Sequence, residues 1–506
     1  MKRIEGLPQV LLFAEGVPLP GDFLSSLSEV RVQQRLSLPA MCELTFCDPP
    51  AALTAATLVA VGVKLRVEIL GQLVPLFSGQ VTAMEFVYGP AGQRELRVRS
   101  YDALHTLRKR QTVKAHVQVT PRELAQELVA DLGLTVEAAG DGPLWPRLIQ
   151  HRQTDLELLQ QVTGRCGFYL AVREDTLHLL TLEGLGFPLP LVLGDSLLEA
   201  RIELNADASF SSVEASGWDP SRVEIHRGRA TEPRVGRVTL AETLSSTLGG
   251  EGQRELVGEN AQDDNHAEGL AQADLDRRVA QEVTLQGVAQ GNPGLRPGTK
   301  VAVAGVAVSV AGLYVLTSVN HIIDQRTGFI SEISTLPPRP SELNPATGAA
   351  MGTVTRLDDP DGLGRVCVSL PGYQDVETGW LGVVTIGGGP GKGLVALPDV
   401  GDQVLVMLSQ GDPAQGIVLG GLYGTNQPPD TGIEEGAVRR YTWQTPGGQR
   451  LTLDDNKKII RLENSEHSYI ELNPDKTLVH SEADLELEAP GHRVVVRGQK
   501  IDFERA

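Results

Sequence analysis

The sequence is poor in aromatic residues, at 4% of its 506 positions, and it has only four cysteines. Cys42, Cys47, Cys166 and Cys367 are too few for a disulfide framework in a chain of this length, and none has the C-x-x-C spacing of a zinc site. The pair Cys42/Cys47 lies in an apolar, strand-like stretch and reads as structural thiols, which fits synthesis in a reducing cytoplasm. Basic residues are outnumbered, 45 against 64 acidic ones, giving a net charge of −19. That argues against a nucleic-acid binder, which needs a basic face, and disfavours lasting contact with anionic membranes.

Long hydrophobic runs are scarce as well. The N-terminal MKRIEGLPQVLLFAEG has an apolar run of five residues broken by Glu15. That is shorter than a secretory signal requires, so no signal peptide is expected. Val301 to Val319 carries no charge, but Gly305, Ser309, Gly312, Thr317 and Ser318 interrupt it and its valines alternate. Two buried strands joined by a turn are predicted there rather than a membrane helix.

Chemistry-bearing motifs fail on inspection. Gly387-Gly388-Gly389-Pro390-Gly391-Lys392-Gly393 imitates a phosphate loop. Ile386 stands where its first glycine belongs, and Gly393 where Ser or Thr would bind magnesium. Asp358-Asp359-Pro360-Asp361-Gly362 lacks the alternating ligands and distal Glu of a calcium loop, so a turn is predicted. The ten histidines are scattered, His492 near the end stands alone, and neither H-E-x-x-H nor G-x-S-x-G occurs. No catalytic residue, metal site or cofactor is assigned. Acidic residues are abundant enough to suggest a glycosidase pair, but a solvated surface explains each of them.

What the sequence does have is turns. With 55 Gly and 31 Pro it reads as many short strands. Val63–Leu70 and Glu95–Tyr101 alternate as strands. Thr120-Pro121-Arg122-Glu123 and Thr154-Asp155-Leu156-Glu157 are capping boxes that open two helices. Leu124, Leu128 and Leu132 line one of them, Leu158, Leu159 and Val162 the other. Gly133 and then Gly164 or Gly167 are placed to stop them. A hairpin is predicted over 168–182. A third helix, about 261–283, is predicted to be solvated, with a narrow stripe of Leu270, Leu275 and Val279. The proline-rich 336–341 predicts a linker and a boundary near 345. Six strands then follow, at 352–357, 364–370, 380–385, 393–396, 403–408 and 417–422, the size of a small barrel. A second linker spans 426–432.

The tail is the most patterned region. Apolar pairs at i and i+2 recur at Leu451/Leu453, Ile460/Leu462, Ile470/Leu472, Leu485/Leu487, Val494/Val496 and Ile501/Phe503, with Leu478 as a weaker unit. Each unit is a short strand, and one such ribbon cannot bury a core of its own. Stacked repeats of this kind mark a β-solenoid, and a ring of three intertwined chains would bury the pairs.

These residues carry a family resemblance. Asp359-Pro360-Asp361-Gly362-Leu363-Gly364-Arg365-Val366, Leu397-Pro398-Asp399-Val400-Gly401-Asp402-Gln403-Val404, Gly411-Asp412-Pro413 and Val418-Leu419-Gly420-Gly421-Leu422-Tyr423 resemble the gp5/VgrG-type OB domain of contractile-tail spikes. Upstream, Gln153-Thr154-Asp155-Leu156-Glu157-Leu158-Leu159 with Gly167-Phe168-Tyr169-Leu170 resembles the late control D, gp27-like hub. So does Pro297-Gly298 followed by Gly312-Leu313-Tyr314-Val315 and His321.

The resemblance implies a mainly β fold with a few helices: a hub of β-barrel-like domains at 1–345, an OB-fold barrel at 346–430, and a C-terminal intertwined trimeric β-helix, the needle, at 431–506. It implies a non-enzymatic homotrimeric spike of a contractile injection system. Its partners would be a PAAR-type tip protein, tube-initiator and baseplate proteins, effector cargo as a further candidate, and a target membrane contacted transiently. Val494, Val496, Ile501 and Phe503 are the expected tip-docking residues. Leu451, Leu453, Ile460, Leu462, Ile470, Leu472, Leu485 and Leu487 are the expected trimer core. About twenty residues separate Tyr423 from Trp443, which leaves no room for the lysozyme domain that some phage spikes insert there. The short tail, ending Phe503-Glu504-Arg505-Ala506, looks most like the spike of an extracellular, phage-tail-like particle, beside the type VI and phage spikes of the same layout. Such a particle would be assembled from protein made in the cytoplasm and released. Two rivals from other classes stand beside this reading: an envelope-degrading hydrolase and a glycan-binding fibre.

Overall fold

The computed structural model describes residues 7–50, 59–219, 224–241, 252–339 and 348–504. The chain divides into two compact units, Met1–Gly421 and Leu422–Ala506. The expected hub and barrel both fall in the first. The expected boundary near 345, like Pro340 and Ser341 of the linker before it, lies outside the described residues.

The first unit is built around an eleven-stranded sheet. Its N-terminal half runs from Leu27–Arg35 through Met41–Cys47, Arg94–Tyr101, Phe77–Tyr88 and Lys64–Ile69 to Val10–Ala14 and the short Val17–Pro18. Its other half runs through Ser318–Asp324, Gly328–Ser334 and Val283–Gln290 to Leu197–Leu204. The halves are joined where Leu27–Arg35 pairs antiparallel with Ser318–Asp324, Ile322 facing Arg31. Each half wraps its own core. Val30, Val32, Cys42, Leu44, Phe46, Leu96 and Val98 fill the first, and Leu197, Leu285, Val301, Val303, Tyr314 and Val319 the second. Alternation explains both, because every second side chain of a strand faces the same way. It also separates Cys42, buried, from Cys47, exposed.

The uncharged stretch 301–319 is confirmed as strands. Thr299–Ala304 and Gly312–Val315 pair antiparallel, and the chain continues into Ser318–Asp324. Among the described residues no helix is long and apolar enough to cross a membrane.

Both predicted capping boxes form. Thr120 and Thr154 accept from the amides of Glu123 and Glu157, whose carboxylates bond back to the cap residues. The helix Pro121–Val129 ends four residues before Gly133, which lies in the following turn. The helix Asp155–Gly164 is closed at Gly167 (φ +73°). There the Phe168 amide donates to the Thr163 carbonyl and the Gly167 amide to that of Gly164, the paired bonds that terminate a helix on a left-handed residue. The hairpin follows as Tyr169–Arg173 and Thr176–Leu180.

The third helix, Asp264–Glu282, packs the predicted stripe of Leu270, Leu275 and Val279 but otherwise departs from expectation. It is not a solvated helix. Ala267, Ala271 and Leu275 are buried against the sheet of Ser212–Asp219, Glu224–Ala230 and Gln253–Glu259. Two of its acids, Asp274 and Asp276, are buried as well. Arginines from other segments and from the helix itself neutralise them. Arg234 grips Asp276 at 2.8 Å, while Arg254 at 3.0 Å and Arg278 at 2.8 Å converge with Arg277 on Asp274. The helix approaches so closely that a β-carbon on Gly228 would lie 2.0 Å from the Glu268 amide nitrogen.

The barrel sheet runs Val376–Glu377, Cys367–Leu370, Gly348–Arg356, Gln403–Leu408, Gly416–Leu422, Gly382–Val383. It closes where Val366 and Leu381 exchange backbone bonds of 2.9 and 2.8 Å. Val354, Val366, Val368, Leu370, Val404, Val406 and Leu408 fill it. Closure leaves no edge for the strand expected at 393–396, and that segment is not a strand. Residues 384–402 instead form an exposed arm held by its own bonds, such as the Leu394 amide to the Ile386 carbonyl at 3.0 Å.

In the second unit the tail is an antiparallel meander of Arg440–Gln444, Arg450–Asp454, Ile459–Glu463, Tyr469–Leu472 and Thr477–His480. Residues 481–504 contain no strand.

Candidate assembly interface

The meander has two chemically distinct faces, and its register decides which residues share each. Leu451 faces Leu462, and Leu453 faces Ile460. Ile460 then faces Leu472, and Leu462 faces Ile470. The pairs therefore align across three strands into one apolar sheet face. Tyr441 and Trp443 extend it on one side, opposite Leu453 and Leu451, and Val479 on the other, opposite Ile470. Within the chain this face is uncovered: Trp443 is 63% exposed, Leu462 57% and Ile470 48%. Leu478, predicted as the weak unit, lies opposite Glu471 on the other face, and Val479 takes its place.

The other face is ionic. Arg461 bridges Glu463 on its own strand at 2.9 Å and Glu471 across the ladder at 3.2 Å, and its guanidinium lies 3.7 Å from the centre of the Tyr469 ring. At the start of the meander Asp430 is the hub of a second network. Arg440 donates to both its oxygens at 2.5 and 2.8 Å, Thr442 Oγ1 at 2.8 Å, the Gly432 amide at 2.9 Å and Arg450 at 3.2 Å. These donors, Arg440 foremost, hold the Asp430 carboxyl well below its usual range. The charged groups of that face are thus largely paired with one another, whereas the apolar face has no partner among the described residues.

Of the predicted core residues, Leu451, Leu453, Ile460, Leu462, Ile470 and Leu472 are brought together on this face. Leu485 and Leu487 are exposed and outside any strand, as are Val494, Val496, Ile501 and Phe503. Tyr441 and Trp443 belong to the same face but were not predicted. Their i, i+2 spacing and their position one strand before Leu451 were the available signal.

The look-alike motifs are structural. The Gly387–Gly393 segment lies in the exposed arm. Asp359, in the calcium-like turn, accepts from the amides of Leu363 and Arg365 and from the Arg365 guanidinium at 3.0 and 2.6 Å, which fills its coordination. His321 is buried. Its Nε2 donates to the Leu295 carbonyl at 3.1 Å, so its Nδ1 accepts from the Ser331 hydroxyl at 2.8 Å. Burial pushes its pKa down to about 3. Asp102 is pushed up to about 7 by burial, but both its oxygens cap backbone amides, those of Ala40 and Leu104.

Known proteins resemble the chain along these divisions. Residues 350–423 match the type VI secretion system/phage-baseplate injector OB domain, and residues 63–325, just over half the chain, match the Alg8 N-terminal domain. The actin cross-linking toxin VgrG1 of Vibrio cholerae serotype O1 is 24% identical over 467 residues, covering 82% of this chain and 41% of the toxin. The chain thus spans less than half the length of that curated relative. Among solved structures, an E. coli component of the type VI secretion system, described as structurally similar to the T4 bacteriophage tail proteins gp27 and gp5, shares the fold with a TM-score of 0.54 at 12% identity. It covers 81% of this chain and 99% of its own. A chain of the Francisella PdpA–VgrG complex in its lidded form gives a TM-score of 0.53 at 9% identity over 94% of this chain and 80% of its own.

Proposed function

The chain belongs to the family of the Alg8 N-terminal domain and has the organisation of a VgrG/gp5–gp27-like spike protein, and from that premise we propose that it is the central spike of a contractile injection system, acting as a homotrimer. In this reading the hub seats on tube-initiator and baseplate proteins. The tail carries a PAAR-type tip protein on Val494, Val496, Ile501 and Phe503, and sheath contraction drives the assembly through the target envelope. The chain performs no catalysis of its own and needs no cofactor. It is made in the cytoplasm, in keeping with its unpaired cysteines, and enters a phage-tail-like particle that is released. Effector cargo is a further partner of such a particle.

The observation that carries the reading is the uncovered apolar face of the tail, six aliphatic residues in register with two aromatics beside them. Left in water it would aggregate. Turned inward around a threefold axis, it becomes the core that one ribbon cannot supply, at roughly 1 kcal/mol for each half-exposed aliphatic residue covered. Leu485 and Leu487, without a strand partner among the described residues, would continue that core by pairing with other copies. A tripled net charge of about −57 keeps such a needle from lasting adhesion to anionic lipid. Light scattering of the purified full-length chain during size exclusion tests this. A mass near three times 54.3 kDa is expected, and a folded monomer at micromolar concentration would overturn the trimer.

A further inference from the structure

A cavity of about 1870 Å³ opens inside the first unit, between the hub and the barrel. Small-molecule sites are usually roughly 300–1,000 Å³, so its size suits a polymer segment better than a metabolite. Trp145, Leu148 and Phe168 give it an apolar wall, and Tyr373 and Asp412 approach from the barrel.

Its charge is opposite in sign to that of the chain. Arg35, Arg152, Arg165, Arg201 and Arg339 line it. Arg35, Arg152, Arg201 and Arg339 make no side-chain hydrogen bond or ion pair among the described residues. Arg165 donates to the Asn260 carbonyl and lies 5.8 Å from the centre of the Trp145 ring, with Glu259 and Asp412 near but in no direct ion pair among the described residues. A sixth, Arg277, is taken by Asp274. Of the four carboxylates in the wall, Glu332 accepts from Asn320 at 2.7 Å, and Asp412 accepts from the Ala414 amide at 2.8 Å and from Asn260 at 3.4 Å. Glu259 lies close enough to Arg165 to favour its charged form, and Glu199 makes no side-chain hydrogen bond or ion pair among the described residues. With Arg277 set aside on Asp274, five arginines face four carboxylates, and four of the five have no partner among the described residues, in a chain of −19.

The wall also contains a sheet edge. Leu197–Leu204 is the last of the eleven strands and, among the described residues, pairs only with Val283–Gln290. Among the described residues, the outer backbone groups of 198–204 bond to nothing. Glu199, Ala200 and Arg201 of this strand face the cavity. A free edge beside unpaired guanidiniums is a receptor for an extended chain bearing carboxylates.

We propose that this cavity binds an extended acidic segment of a partner polypeptide, with carboxylates alternating with apolar residues. The segment adds to the Leu197–Leu204 edge as a further strand and sets its carboxylates against Arg35, Arg152, Arg165 and Arg201. This goes beyond the spike reading and does not depend on the trimer.

The test is fluorescence anisotropy of a fluorescein-labelled decapeptide of alternating Glu and Val, titrated with the full-length chain. The expected result is saturable binding that weakens as salt rises and falls at least tenfold in the Arg152→Glu/Arg201→Glu double variant. The milder Arg152→Gln/Arg201→Gln pair serves if charge reversal perturbs folding. The same peptide N-methylated at alternate residues should lose binding, because it cannot complete the ladder. Absence of saturable binding, equal binding of an alternating Lys–Val peptide, or full binding of the N-methylated peptide would overturn the proposal. So would a change in the light-scattering mass of the double variant, which would place a second copy of this chain at the cavity instead.

Discussion

Replacing Leu462 by aspartate separates a lone tail from an assembled one. Leu462 sits in the middle of the apolar face, between Leu451 and Ile470 on the flanking strands. It is 57% exposed within the chain. In an isolated ribbon the change touches a half-exposed surface position and should cost within about 0.5 kcal/mol. In a closed trimer each copy loses roughly 1 kcal/mol of apolar burial and gains an unpaired buried carboxylate at roughly 3 kcal/mol or more. Three copies together lose about 12 kcal/mol, the binding free energy of a nanomolar complex. L462D should therefore run as a monomer by light scattering while its hub and barrel keep their far-ultraviolet circular dichroism. Thr452→Asp, on the ionic face beside Arg461, is the control and should stay at the parent mass. An L462D protein that keeps the parent mass and melting temperature would refute the inward-facing assignment.

Other outcomes follow from single contacts. His321 has a folded-state pKa of about 3, below its unfolded value of about 6.5. As pH falls below 6.5 the unfolded chain takes up a proton that the folded one refuses, so stability is full above 6.5 and declines towards 3. Urea melts at pH 5 should show about 2 kcal/mol less stability than at pH 7 from this residue, and His321→Gln should flatten that difference. Arg365→Ala strands the buried Asp359 carboxylate and should cost the barrel about 3 kcal/mol, read as an earlier thermal transition. Gly228→Ala forces the helix Asp264–Glu282 off its sheet, at roughly 1–3 kcal/mol or more, measurable by denaturant unfolding. Asp430 has its pKa depressed by Arg440, so its contribution holds above about pH 4 and is lost as the pH falls further. Asp430→Asn should remove that acid sensitivity from the tail's own melting transition.

How much of this could be read in advance depended on the distance between interacting residues. The capping boxes at Thr120 and Thr154 were legible because cap and partner lie three residues apart. The tail pairs were legible because a period of two survives any strand pairing. The helix Asp264–Glu282 was misread for the opposite reason. Its acids suggested solvent, and nothing near them in sequence announces that Arg234 and Arg254 reach in from other segments. Asp274 and Asp276 are buried because the arginines came, and that is a tertiary fact. The join between Leu27–Arg35 and Ser318–Asp324 spans nearly three hundred residues and leaves no local trace. The strand expected at 393–396 failed because barrel closure at Val366 and Leu381 had already used the available edge. Tyr441 and Trp443 continue the same period of two one strand before Leu451, so their place on the face was equally legible.

The two faces of the tail answer each other. A ribbon that must expose one face while folding and bury it on assembly risks slipping by one residue, which would turn every side chain over. The apolar pairs alone do not prevent this before assembly, since neither face then has a core to prefer. The ionic face does. Arg461 reaches Glu471 across the ladder only in the observed register, and Arg440 reaches Asp430 and Asp454 only with Arg440 opposite Asp454. A one-residue slip would place these guanidiniums among leucines. The salt bridges need little net stability to do this; they need only make the wrong register worse. The network on the face away from the apolar core is thus what presents Leu451, Leu453, Ile460, Leu462, Ile470 and Leu472 together, on one side, to whatever covers them.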